Sequence, residues 1–117
     1  MVSEKIVPGL KGQQQTVVSE HNVAGHVDKY STPSMISLME QAAIAAVHPY
    51  LEEAQTSVGY EVHVRHLAPS DIGATVIAHA ELAEVNRNRL TFQVEAYDGD
   101  RKIGEGTHKR AIIDRNR

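Results

Sequence analysis

The sequence predicts an α+β domain, a curved antiparallel five-stranded sheet wrapped around one long central helix. Three observations lead there. Residues 33–47 carry apolar side chains around most of a helical circumference, an arc too wide for a helix lying on a surface. Four segments after it alternate apolar and polar residues with the two-residue period of strands, and short turns join them. One further strand-like stretch precedes the helix, so the layout is one helix with consecutive antiparallel strands. At 117 residues the chain fits a single domain, 1–117, with room for a modest core.

Residues 1–13 read as a loose N-terminal arm broken by Pro8, Gly9 and Gly12. Gln14–Val23 is the first strand, weakly alternating, and Ala24–Ser31 is a polar loop. Thr32-Pro33 opens the helix, because Thr is favoured at the N-cap and Pro at the first helical position. The helix stops before Pro49, since the residue ahead of a proline avoids the helical region. Ser34, Ser37, Gln41 and His48 form its narrow polar stripe. In Ser57–Leu67, Val58, Tyr60, Val62 and Val64 share one face, and continuing the count places His66 on it. Pro69–Gly73 is a turn. Ala74–Val85, Leu90–Tyr97 and Lys102–Ile113 complete the strands, with Asp98-Gly99-Asp100 as a hairpin signal between the last two. Gly104 and Gly106 mark a bulge or a close backbone approach. One helix cannot cover both faces of such a sheet, so a homodimer or tetramer is expected to protect the remainder, an exposed edge strand above all.

Composition narrows the function. A net charge of −3, a pI near 6.1 and no dense Lys/Arg cluster argue against nucleic acid as a partner. The absence of cysteine excludes disulfides, thiolate metal sites and cysteine nucleophiles. The N-terminal stretch is too polar for a signal peptide, and no apolar run approaches the ~20 residues of a membrane span. No membrane partner is expected, and the cytoplasm is the expected location.

Between Tyr30 and Leu51 the only formal charge is Glu40, inside the helix. A carboxylate is costly to remove from water unless paired or hydrogen-bonded, and enzymes use such groups as tuned bases or nucleophiles; the alternative is a carboxylate at the solvent edge of a core helix. His66 points towards the same helix, and a Glu–His pair is a working acid–base unit; the alternative is a strand-end imidazole reaching water. Thr32 is first a helix cap. Eight residues of helix separate it from Glu40 by about 12 Å along the axis, so joint action needs a substrate, a bent loop or a second protomer. His63 and His66 point to opposite strand faces and cannot chelate one ion, while His79 and His108 are isolated, so no metal is expected. Arg110 and Lys109 are candidates to meet a ligand phosphate. No Gly-x-Ser-x-Gly motif is present.

Together Thr32, Glu40 and His66 bring a family into view. The chain resembles the hot-dog-fold acyl-coenzyme A thioesterases, of the fluoroacetyl-coenzyme A thioesterase type, over about Pro33 to Ile113. The resemblance rests on S-L-M-E-Q-A at 37–42, H-P-Y-L-E at 48–52, S-V-G-Y-E-V-H-V-R-H-L-A at 57–68, D-G-D at 98–100 and I-G-E-G-T-H-K-R-A at 103–111. It implies a catalytic Thr32, Glu40 and His66, a Gly59 that borders the site and meets substrate, no cofactor beyond the CoA thioester substrate, and active sites at a dimer interface; Arg110 stays a substrate-binding candidate from its residue type alone. One departure stands out. The family pattern expects phenylalanines as a lid before the helix, whereas residues 24–31 contain none and the only Phe is Phe92. Two other readings share the fold: a non-catalytic module that binds an acyl-CoA or another small ligand, and a hydratase or dehydratase acting on acyl thioesters.

Overall fold

The computed structural model describes residues 2–116. Strand β1 (Lys11–Val17) leads through a loop to helix α1 (Thr32–Val47) and one 3₁₀ turn (His48–Tyr50). Four strands follow: β2 (Gln55–His66), β3 (Thr75–Asn86), β4 (Arg89–Asp98) and β5 (Arg101–Asp114). They form one sheet in the order β1-β3-β4-β5-β2, with every neighbouring pair antiparallel.

The helix lies on the inner face of the sheet and buries Met35, Leu38, Met39, Ala42, Ala43, Ala46 and Val47. Against it stand Val76, Ala78, Ala80 and Leu82 of β3, Leu90, Phe92, Val94 and Ala96 of β4, and Ile103 and Ile112 of β5. Apolar area removed from water at about 25 cal/mol per Å² is the main force holding the two layers together. Bulges at Gly59/Glu61, Leu82/Glu84 and Ala96/Tyr97 add local twist, which lets the sheet curl. Two tight hairpins join β3 to β4 and β4 to β5, the second with Gly99 at φ 62°, as the Asp-Gly-Asp signal anticipates.

Three boundaries differ from the sequence reading for physical reasons. The first strand starts and ends earlier, because Gly12 acts as a contact rather than a breaker. A Cβ there would stand 2.2 Å from the Ala42 carbonyl oxygen and 2.5 Å from the Ala46 nitrogen, so only glycine lets β1 lie directly on the alanine face of α1. The N-terminal arm is tied down, with Ile6 buried and the Gly9 N–H donating to the Leu82 carbonyl at 2.8 Å. The helix cap is Ser31, not Thr32: the Ser31 Oγ accepts from the Ser34 N–H at 3.2 Å.

In β2 the bulge breaks the single apolar face expected from the alternation. Val62, Val64 and His66 lie opposite His108, Gly106 and Gly104, whereas beyond the bulge it is Gly59 and Ser57 that lie opposite Arg110 and Ile112. Val58 and Tyr60 are left exposed at this edge of the sheet.

Candidate active site

Because Ser31 takes over the cap, the Thr32 hydroxyl is free for another partner. It meets His66 Nδ1 at 2.9 Å, joining the first residue of α1 to the last of β2. Tyr30 stands edge-on to the His66 ring with centroids 6.4 Å apart. Burial pushes the Tyr30 phenol up to about 12. The His66 imidazole is held below the ordinary range, chiefly by burial, with the Ala68 backbone offsetting part of the effect. The other ring nitrogen, Nε2, is buried and has no hydrogen-bond partner among the described residues. The pair opens into a cavity of about 330 Å³ walled by Val27, Tyr30, Leu67, Ala68 and Pro69, with Lys29 at its side. The Lys29 ammonium is itself paired with Asp71.

Glu40 occupies a second cluster further along the helix. Its side chain is 37% exposed, and its Oε2 lies 3.9 Å from Nε2 of His108. Gly59 makes this cluster possible: a Cβ there would stand 2.8 Å from His108 Cε1 and 3.1 Å from both Arg110 Nη1 and Glu40 Oε2. Arg110 is buried, yet its Nε–H donates to Ser57 Oγ at 2.9 Å and Nη2 to the Ser57 carbonyl at 2.9 Å. Nη1 donates to His108 Nε2 at 3.1 Å. The opposite ring nitrogen, Nδ1, meets the Glu61 carbonyl at 2.9 Å, and a carbonyl accepts only, so Nδ1 carries the proton. His108 is therefore neutral. Burial, the largest influence, keeps it so with help from the nearby Arg110 charge, against the opposing Glu61 backbone, which outweighs Arg110, and a lesser effect of Glu40. The contact between His108 and Glu40 is not an ion pair, and the cation facing the carboxylate is Arg110.

The structure thus joins Thr32 to His66 and gathers Gly59 and Arg110 around Glu40, while no Glu40–His66 ion pair forms within one chain. The sequence reading missed His108, Ser57 and the capping role of Ser31. The signal for His108 was present: it alternates with Arg110 and Ile112 on one face of β5. A larger groove of about 980 Å³ crosses the outer face of the sheet beside His63, His79, Gln93 and Thr107, but neither cluster lines it.

A curled antiparallel sheet of five strands around one long helix defines the hot-dog fold. Comparison with known proteins narrows the class. The family model for fluoroacetyl-CoA-specific thioesterase matches residues 6–116. The fluoroacetyl-CoA thioesterase of Streptantibioticus cattleyicolor is 38% identical over 108 residues, which cover 92% of this chain and 78% of that one. A solved phenylalanine-to-alanine variant of a fluoroacetyl-CoA-specific thioesterase, holding fluoroacetate and CoA, is 34% identical, with a TM-score of 0.87 over 93% of this chain and 96% of its own. A thioesterase superfamily member from Thermus thermophilus is 29% identical, with a TM-score of 0.90 over 95% of this chain and 86% of its own. The chain belongs to the fluoroacetyl-CoA-specific thioesterase family, and it is a thioester hydrolase.

Proposed function

We propose that the protein hydrolyses an acyl-CoA thioester at a site shared by two protomers, with Thr32 and His66 supplied by one and Glu40 by its partner. Acyl-CoA hydrolysis follows from the family, and a solved relative holds CoA and fluoroacetate. The observation that carries the shared site is the separation of the groups within one chain: His66 sits with Thr32 at the end of β2, whereas Glu40 sits with Gly59 and Arg110 beyond the bulge. Glu40 of the same chain lies eight residues beyond Thr32, about 12 Å along the helix axis, and faces Arg110 instead. The edge strand β2 offers the remedy. It exposes Val58 and Tyr60 together with an unpaired backbone edge. Antiparallel pairing of two β2 strands in a register centred near Val62 and His63 would lay the His66 end of one protomer alongside the Gly59 end of the other. That register carries the imidazole to the Glu40 cluster of the partner.

In such a site Glu40 either attacks the thioester carbonyl to form a mixed anhydride that water then hydrolyses, or takes a proton from the water that attacks it, and His66 delivers a proton to the departing thiolate. Thr32 fixes the imidazole through Nδ1, and Arg110 supplies positive charge where negative charge develops. The test is release of free thiol from a panel of acyl-CoA esters, read with a thiol-reactive dye, for which a chain without cysteine gives no background. Glu40→Gln is expected to lose at least about a hundredfold in kcat while staying folded. Near-full turnover in that variant overturns the role of Glu40.

A further inference from the structure

We propose that His108 is a positioning residue for this reaction, its unprotonated Nε2 fixing the Arg110 guanidinium in place beside Glu40. The inference rests on the shared-site reading of Glu40 but concerns a residue that does not touch substrate. Arg110 is buried and can only donate hydrogen bonds, so its orientation is set by the acceptors around it. Ser57 provides two, through Oγ and its carbonyl, and these hold the Nε and Nη2 side of the fork. His108 provides the third, at Nη1. Nη1 is also the Arg110 atom that stands 3.1 Å from the Gly59 Cβ position, the same distance as Glu40 Oε2. Fixing Nη1 therefore fixes the guanidinium edge that faces the carboxylate across the bare glycine. The imidazole is in turn fixed: the Glu61 carbonyl binds Nδ1, and the ring stacks on Phe92 at 6.4 Å with an interplanar angle of 28°. A protonated ring would present an N–H to Arg110 in place of a lone pair, so the device needs neutral His108.

The charged groups around it are few. Arg110 shares its strand, Glu40 approaches from α1, and Glu61 approaches from β2 through its backbone while its carboxylate turns to His63 and Lys109. Phe92 is the β4 neighbour and carries no charge.

The test compares two variants of nearly the same shape. His108→Gln keeps a strong acceptor for Nη1, and His108→Met removes it while filling the same space. Thiol release is measured alongside Tm and the ¹⁵N-resolved Arg110 Nε–H resonance of the substrate-free protein. His108→Met is expected to lose about ten- to a hundredfold in kcat, with KM within about twofold and a shifted Nε–H signal, because a small displacement of a positioned group costs that much. His108→Gln is expected to recover most of kcat and the original signal. Wild-type kcat in a folded His108→Met, a loss confined to KM, or a folded His108→Gln as slow as Glu40→Gln would each overturn the assignment. Should His108→Met fail to fold, the Gln variant decides alone. The Nε–H signal does not depend on turnover, so this result stands apart from the fate of the shared-site reading.

Discussion

One serine decides what Thr32 can do. With Ser31 as the cap, the Thr32 hydroxyl turns to His66 at 2.9 Å, and a residue that the Thr-Pro pair assigns to helix initiation joins the candidate site. Gly59 is decisive in the same way. Gly59→Ala places a methyl group 2.8 Å from His108 Cε1 and 3.1 Å from Glu40 Oε2, so one of them must move. Turnover is expected to fall by about a hundredfold and Tm to fall with it, because His108 is buried and held in place, measured by thiol release and calorimetry. Two imidazoles, the buried His108 and the half-buried His66, also set an acid limit. His66 and His108 both titrate below the ordinary 6.5 in the folded chain, mainly through burial. On acidification the unfolded chain therefore takes up protons first, so their stabilising share is complete above about 6.5 and is lost as pH falls below it. The urea midpoint is expected to drop between pH 7.5 and 5.5, and His108→Gln should shrink that drop. An unchanged midpoint across this range contradicts the buried, neutral assignment.

At the scale of elements, the sequence was most legible where one periodicity held without interruption. The helix over residues 33–47, the hairpin at Asp98-Gly99-Asp100 and the alternation Val76, Ala78, Ala80, Leu82 all follow from local pattern, and all stand within a residue or two of their places. Alternation failed in β2, because a bulge is a one-residue change that no composition rule marks. It moved Gly59 and Ser57, rather than Val58 and Tyr60, to the inner face. Gly12 was read as a breaker for a related reason: its necessity comes from α1, a contact distant in sequence. Gly12→Ala would force a Cβ to within 2.2 Å of the Ala42 carbonyl. Separating β1 from the helix to relieve that contact is expected to cost about 1–3 kcal/mol, seen as a lower urea midpoint with an unchanged slope.

For the whole molecule, fold and family residues were readable in the sequence, while the division of labour between them was not. Glu40 and His66 are each unusual where they stand, and sequence alone suggested that they meet. Within one chain they do not, since β2 ends with His66 beside Thr32, whereas Glu40 lies near the bulge at Gly59. Two features share one explanation: an apolar edge strand and a partly exposed carboxylate beside it. Both are accounted for if a second copy pairs along β2.

Mixed dimers test this most directly. Glu40→Gln and His66→Asn are each prepared inactive, mixed in equal amounts, unfolded and refolded together, and assayed for thiol release. If each site takes Glu40 from one protomer and His66 from its partner, half of the dimers are mixed and each mixed dimer holds one intact site. Activity then returns to about a quarter of wild type, on the simple counting for random pairing of a twofold dimer. A mixture no more active than its separate parents, in which exchange of protomers has been verified by mass, contradicts the shared site.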